Sequence, residues 1–258
     1  MKVALTIAGS DSGGGAGLQA DLKTFAALRI YGTSVVTAVT AQNTRKVEAV
    51  TTMTAAVVAG QIEAVLADFP VAAVKTGMLG NGAIVDAVAG LLPRCPLVVD
   101  PVLLSTSGAQ LLDDAGLASL RSRLIPKATV VTPNLPEAEA LTGRRDPREA
   151  ARALRDLGAA VVVVKGGHAP GAVCEDLVFD GTFLVISGPR LETSATHGTG
   201  CTLSAAIAAG LAGGLSPLDA IGRARRFLEA SMYAAGPLGG GHGPMHHLHP
   251  YYPWEESR

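Results

Sequence analysis

Four consecutive residues, Gly198-Thr199-Gly200-Cys201, stand directly before an apolar helical pattern. Glycines let backbone N–H groups converge there without side chains in the way, and a helix start adds partial positive charge. Such a turn can hold a transferring phosphoryl group, whose negative charge must be met by donors already in place. A thiol in the first helical turn is expected to have a lowered pKa and to act as a base near neutral pH. Packing as a small hydrophobe is the other use of a free cysteine. The position of Cys201 directly after Gly-Thr-Gly favours the chemical use.

Other segments carry chemistry of their own. Ala8 to Gly17 reads Ala-Gly-Ser-Asp-Ser-Gly-Gly-Gly-Ala-Gly, a loop in which backbone can approach a ligand closely. It fails as a dinucleotide fingerprint, because Leu18 takes the third glycine position counted from Gly13, and it is no Walker A loop, because no Gly-Lys-Ser/Thr follows. Glu137, in Asn134-Leu135-Pro136-Glu137, can hold Mg2+ through water or simply favour the positive start of the next helix. Asp100, before Pro101, has the same two readings. Lys165, in Lys165-Gly166-Gly167-His168, can neutralise nucleotide phosphates or open a solvated loop. The run from Gly241 to His249 holds four histidines, but its spacing fits no helix-borne metal pattern, so packing and hydrogen bonding account for it better.

The elements that must position these groups alternate. Strand patterns at Val3–Ala8, Ser34–Thr40, Ala72–Lys75, Leu97–Asp100, Thr129–Thr132 and Ala160–Val164 are separated by helical ones. The helices fall at Gly17–Leu28, Thr54–Asp68 with Thr54 as N-cap, Gly82–Leu92, Leu117–Leu124, Pro136–Leu141 and Pro147–Leu157. Val161 to Val164 shows no polar alternation, as a strand buried on both faces requires. Asp176–Phe179 and Phe183–Ser187 flank Asp180-Gly181-Thr182, a hairpin signal, and the helices Gly200–Leu211 and Pro217–Ala234 follow. The expected fold is a three-layer α/β/α sandwich over residues 1–258, one domain, with a mostly parallel sheet and a small antiparallel edge. Ligands of such sheets bind beyond the carboxyl ends of the strands.

Composition narrows the class. Hydrophobic residues make up 48% and aromatics 4%, so Ala, Val and Leu must fill the core. A net charge of −1 and no basic tract argue against nucleic acid or a membrane surface as partner. The longest apolar run, Ala205 to Leu215, is too short and too glycine-rich for a span. Cys95, Cys174 and Cys201 are widely spaced, which argues against disulfides and a structural zinc site. A cytoplasmic setting is expected.

Taken together, the chain resembles the hydroxymethylpyrimidine/phosphomethylpyrimidine kinases of the ribokinase-like superfamily. The resemblance is carried by Gly14-Gly15-Ala16-Gly17-Leu18-Gln19-Ala20-Asp21, Ala41-Gln42-Asn43-Thr44, Lys75-Thr76-Gly77-Met78-Leu79, Asp100-Pro101-Val102, Thr132 to Glu137, Lys165 to His168 and the Cys201 turn. It implies ATP-dependent phosphorylation of a pyrimidine alcohol and then of its monophosphate, with Mg2+, in a homodimer. It also implies roles: Gly9, Asp21 and Gln42 as polar contacts of the pyrimidine, and Met78 and Leu103 packed on its ring. Gly198 to Cys201 would form the anion hole with Cys201 as base, Asn134, Lys165 and His197 would serve ATP, and Glu137 and Asp100 the metal. Leu103 stands where many relatives have Met, and Thr106 where some have Lys. A pyridoxal-type kinase on the same scaffold stays open, as does a non-catalytic pyrimidine-binding protein; a dinucleotide oxidoreductase is weakened by the failed fingerprint.

Overall fold

The structure, a computed structural model, describes residues 1–104, 110–167 and 171–254. Thr106 and His168 lie outside the described residues. Five strands form the parallel body of one sheet: β1 (Val3–Ser10), β4 (Val71–Thr76), β5 (Leu97–Val99), β6 (Val130–Val131) and β7 (Val161–Val164). β2 (Tyr31–Gln42) pairs parallel with β1, and β3 (Val47–Thr52), β8 (Val173–Phe179) and β9 (Phe183–Pro189) complete the order β3-β2-β1-β4-β5-β6-β7-β8-β9. The hairpin expected at Asp180-Gly181-Thr182 joins β8 to β9, with Gly181 at a φ of 118°. A second antiparallel edge, β2 with β3, was not anticipated. β3 is exposed along nearly its whole length and so shows no apolar periodicity.

Alternation along the strands builds both cores. Leu5 and Ile7, Val99, Val131, and Val162 and Val164 face one layer; Ala4, Val98, Val130, and Val161 and Val163 face the other. The first layer is α2 (Ala55–Asp68), α3 (Gly82–Leu91), α4 (Asp114–Ser119), α5 (Leu135–Thr142) and α6 (Pro147–Asp156). The second is α1 (Gly17–Ala27), α7 (Thr199–Ala212) and α8 (Pro217–Tyr233). Thr54 caps α2 as expected, accepting from the Val57 N–H, and Asn81, Asp113 and Ser216 cap α3, α4 and α8 in the same way. The helix expected at Leu117–Leu124 differs. Asp113 starts α4 earlier, and from Leu120 to Lys127 the coil widens and then tightens towards Pro126. No helix of the described residues is long and apolar enough to cross a membrane.

The His-rich segment has a structural use. His247 accepts or donates at Thr202 Oγ1 (2.9 Å) on α7, His246 meets the Tyr252 carbonyl, and His249 meets Ser231. Burial pushes the His247 imidazole down to about 4, helped by Lys23. The folded state therefore binds this proton less readily than the unfolded chain. Stability is full above the ordinary value of 6.5 and falls as pH drops from there towards 4. The expected loss is about 3 kcal/mol across that window. His247→Gln should flatten the acid limb of denaturation midpoints against pH by that amount; an unchanged limb would mean that His247 does not titrate there.

Candidate active site

The chain reverses its winding between β1 and β4, which lie side by side, and there the carboxyl ends of the parallel strands open into one cleft of about 940 Å³. Asp11 follows β1, Met78 follows β4, Asp100 follows β5, Asn134 follows β6 and Lys165 follows β7; all five line the cleft. Gly198 to Cys201 lines it too, at the start of α7.

Gly198 is the N-cap of α7 at a φ of 81°, and no side chain caps the helix. The first intrahelical bond runs from the Thr202 N–H to the Gly198 carbonyl. The N–H groups of Thr199, Gly200 and Cys201 thus precede the intrahelical ladder and suit an anion. A Cβ on Gly198 would collide with the Gly15 carbonyl, and one on Gly200 would lie 3.1 Å from the Lys165 ammonium. Gly198→Ala is expected to cost about 1–2 kcal/mol from the left-handed backbone alone, before the clash is counted. Denaturation and turnover measured together should both fall; a variant as stable as the parent would contradict this geometry.

Lys165 anchors one flank. It donates to Asp100 Oδ1 at 2.9 Å and sits 3.8 Å from Glu137 Oε2. Asp100 also accepts from Thr132 and Ser204. Burial works against its charge, but Lys165 and Lys75 hold its carboxyl below the usual range. Burial, with Asp100 close by, pushes the Glu137 carboxyl up despite Lys165. Asn134 and Glu137 form a capping box on α5, each accepting from the other's backbone N–H at 2.8 and 2.7 Å. The helix-start reading of Glu137 is thus seen directly. With their oxygens already engaged, Asp100 and Glu137 fit a hydrated Mg2+ held through water better than direct ligation.

The other flank is the glycine loop. Gly9 abuts Met78, since a Cβ on Gly9 would come 2.9 Å from its Sδ. Gln42 is oriented by Thr40 Oγ1, which donates to its Oε1 at 3.1 Å. Leu103 completes the wall.

The family profile described as phosphomethylpyrimidine kinase matches residues 11–246. The chain belongs to the phosphomethylpyrimidine kinase family. It is 51% identical to the hydroxymethylpyrimidine/phosphomethylpyrimidine kinase of Rhizobium meliloti, over 97% of this chain and 98% of that one. Among solved structures it resembles phosphomethylpyrimidine kinase from Clostridium difficile 630 (TM-score 0.77, 40% identity, 89% of this chain and 98% of that one). It also resembles the pyridoxal kinase of Staphylococcus aureus in complex with AMP-PCP and pyridoxal (TM-score 0.87, 36% identity, 96% and 94%).

Three expectations for this phosphomethylpyrimidine kinase family member need correction. Asp21 does not line the cleft: its side chain is 0% exposed and lies under the floor, accepting from Lys75 at 2.8 and 3.0 Å and from Thr6 at 2.6 Å. Thr6 and Lys75 are register partners on β1 and β4, so both point at α1. Burial pushes the Asp21 carboxyl up, whereas the Lys75 ammonium, against its own burial, is held up by Asp21. The bidentate contact and the Thr6 hydroxyl fit an ionised pair, and we take both groups as charged. Second, His197 does not join Asn134 and Lys165. It bonds Asp11 Oδ2 at 2.8 Å and lies 3.4 Å from the Gln42 amide. Third, the Cys201 thiol is not acidified. Burial pushes it up to about 11, with Asp21 and Asp100 adding to the rise; Lys75 and the Gly17 N–H pull the other way. At neutral pH the thiol of the free protein is protonated.

Two residues of the site had no assigned role in the sequence: Lys75 and Asp11. A lysine ending an otherwise apolar strand under two helical layers needs a buried partner. An Asp two residues before a glycine signals an Asx turn, and Asp11 indeed accepts from the Gly13 N–H at 2.8 Å.

Proposed function

We propose that this chain uses Mg-ATP to phosphorylate 4-amino-5-hydroxymethyl-2-methylpyrimidine, first on its hydroxyl and then on the phosphate so formed, within thiamine biosynthesis. One observation carries the reading. The Gly198–Cys201 donor turn sits between the Lys165–Asp100–Glu137 cluster on one flank and Gly9, Gln42 and Met78 on the other.

In the first step the acceptor hydroxyl oxygen forms a bond to the γ-phosphorus and the bond to the ADP leaving oxygen breaks. The hydroxyl proton passes to the thiolate form of Cys201. Charge on the transferring group is met by the N–H groups of Thr199, Gly200 and Cys201 and by Lys165. Asp100 and Glu137 would hold the water shell of a Mg2+ entering with the nucleotide, which would supply charge neutralisation at the phosphates. In the second step the acceptor is a phosphate oxygen, already ionised near neutral pH, so no base is required. Asn134 orients Glu137, and Gln42 presents its amide to the ring. A homodimer belongs to this reading; the exposed edge strand β3, with Val50, and Val39 on β2 support it.

The likeness to pyridoxal kinases favours a second reading, phosphorylation of a pyridine alcohol. Side-by-side assays of the pyrimidine alcohol and pyridoxal with Mg-ATP separate the two. A kcat/KM for the pyrimidine at least about tenfold higher is expected. The reverse order would move the chain to the pyridoxal activity.

A further inference from the structure

Asp11 and His197 are 186 residues apart in sequence, yet Asp11 is 3% and His197 7% exposed and they share a 2.8 Å contact. Asp11 is the hub of the glycine loop. Its Oδ1 accepts from the Gly13 N–H, and its Oδ2 from the N–H groups of Gly15 (3.0 Å) and Ala16 (2.8 Å) as well as from His197 Nε2. The carboxyl lies below its usual range although burial opposes this, because His197 and these N–H groups stabilise its charge. His197 immediately precedes Gly198, the cap of the anion-hole turn. Its own backbone N–H donates to the Gly243 carbonyl at 3.1 Å, which holds the main chain of this turn in place. Gly15 is where the two segments touch: a Cβ there would run into the His197 ring, and a Cβ on Gly198 would run into the Gly15 carbonyl.

We propose that the Asp11–His197 pair is a positioning device that clamps the acceptor-side glycine loop onto the phosphoryl-side turn, so that acceptor and anion hole are held in one register. Neither residue transfers a proton to substrate. The pair acts through Gly15 and Ala16 on one side and Gly198 on the other. Ala16 leads into Gly17, the first residue of α1, and both line the cleft with Cys201, so the clamp also sets how acceptor loop and thiol stand to each other. The inference rests on the kinase reading and assigns His197 to the acceptor side of the cleft rather than to ATP.

The test is a kinetic cycle on the full chain with His197→Ala, Asp11→Asn, the double variant and His197→Gln, whose amide can reach the Nε2 position. Melting curves establish how much of each is folded. His197→Ala and Asp11→Asn are each expected to lose about 100-fold in kcat per folded molecule, because misplacing reacting groups by about 1 Å costs that much. KM for Mg-ATP should stay within about threefold. The double variant should be no worse than the poorer single one, and His197→Gln should recover to within about threefold of the parent. Losses that multiply in the double variant, a defect confined to KM for Mg-ATP, or a glutamine variant as poor as alanine would each overturn the clamp. A parent that forms no phosphorylated pyrimidine would sink the kinase reading itself, a distinguishable result.

Discussion

Cys201→Ala is expected to slow phosphorylation of the pyrimidine alcohol, by a factor that grows with pH towards the worth of a fully ionised positioned base, about 10²–10⁴-fold, and to leave phosphorylation of the monophosphate within about tenfold of the parent. The asymmetry follows from the acceptors. The alcohol must lose a proton on attack, and the phosphate oxygen has none to lose near neutral pH. The thiol, pushed up to about 11 by burial, gives the prediction a second edge. Only its deprotonated form can accept the proton, so the first step should quicken about tenfold per pH unit above neutrality while the second stays level. Purified alcohol and monophosphate, assayed separately between pH 7 and pH 9 (roughly the range in which the thiol is still mostly protonated), read both effects. Equal losses in the two steps, or a level profile for the alcohol, would remove Cys201 as base and leave it a packing residue behind the anion hole.

Asp21→Ala is expected to destabilise the fold by about 3–5 kcal/mol, because it leaves the Lys75 ammonium buried without its partner. Both side chains are 0% exposed, and the pair bridges α1 to β4 with Thr6 of β1 as third member. For a chain of this size the loss corresponds to roughly 10 °C or more in Tm. Asp21→Leu combined with Lys75→Met should recover most of it, since no buried charge then remains. The pH dependence has a definite sign. The Lys75 pKa is raised on folding, so its contribution is complete below the ordinary lysine value and is lost as pH climbs through the folded one. Denaturation midpoints for the two singles and the double form the check. A double variant that merely sums the two single losses would show that the pair is not what holds these elements.

Much of this architecture is written in local patterns. Val161 to Val164 announced a strand buried on both faces, and Asp180-Gly181-Thr182 announced the hairpin beyond it. Other features depend on tertiary context. β3 carries no buried face and pairs only through its backbone, so hydrophobic periodicity could not reveal it. The residues at the strand ends were recognisable as a group, because Asp100, Asn134, Glu137 and Lys165 each follow an apolar run. Which of them touch was not. Asp21 sits on a helix whose buried face could have met ligand or core, and only the register of Thr6 with Lys75 decides for the core. The chemistry of Cys201 shows the same divide. The helix start after Gly-Thr-Gly is legible, but the depth of burial that outweighs it belongs to the packed structure.

The central claim is that one cleft carries out both phosphorylations on a pyrimidine. The most direct measurement is a time course of the chain with Mg-ATP and hydroxymethylpyrimidine, its products identified by mass. The expected record is a monophosphate that rises and then declines as the diphosphate accumulates, with two ATP consumed per pyrimidine converted, roughly one for each transfer. A folded protein that yields no phosphorylated pyrimidine, or one that halts at the monophosphate with ATP still in excess, would contradict the claim.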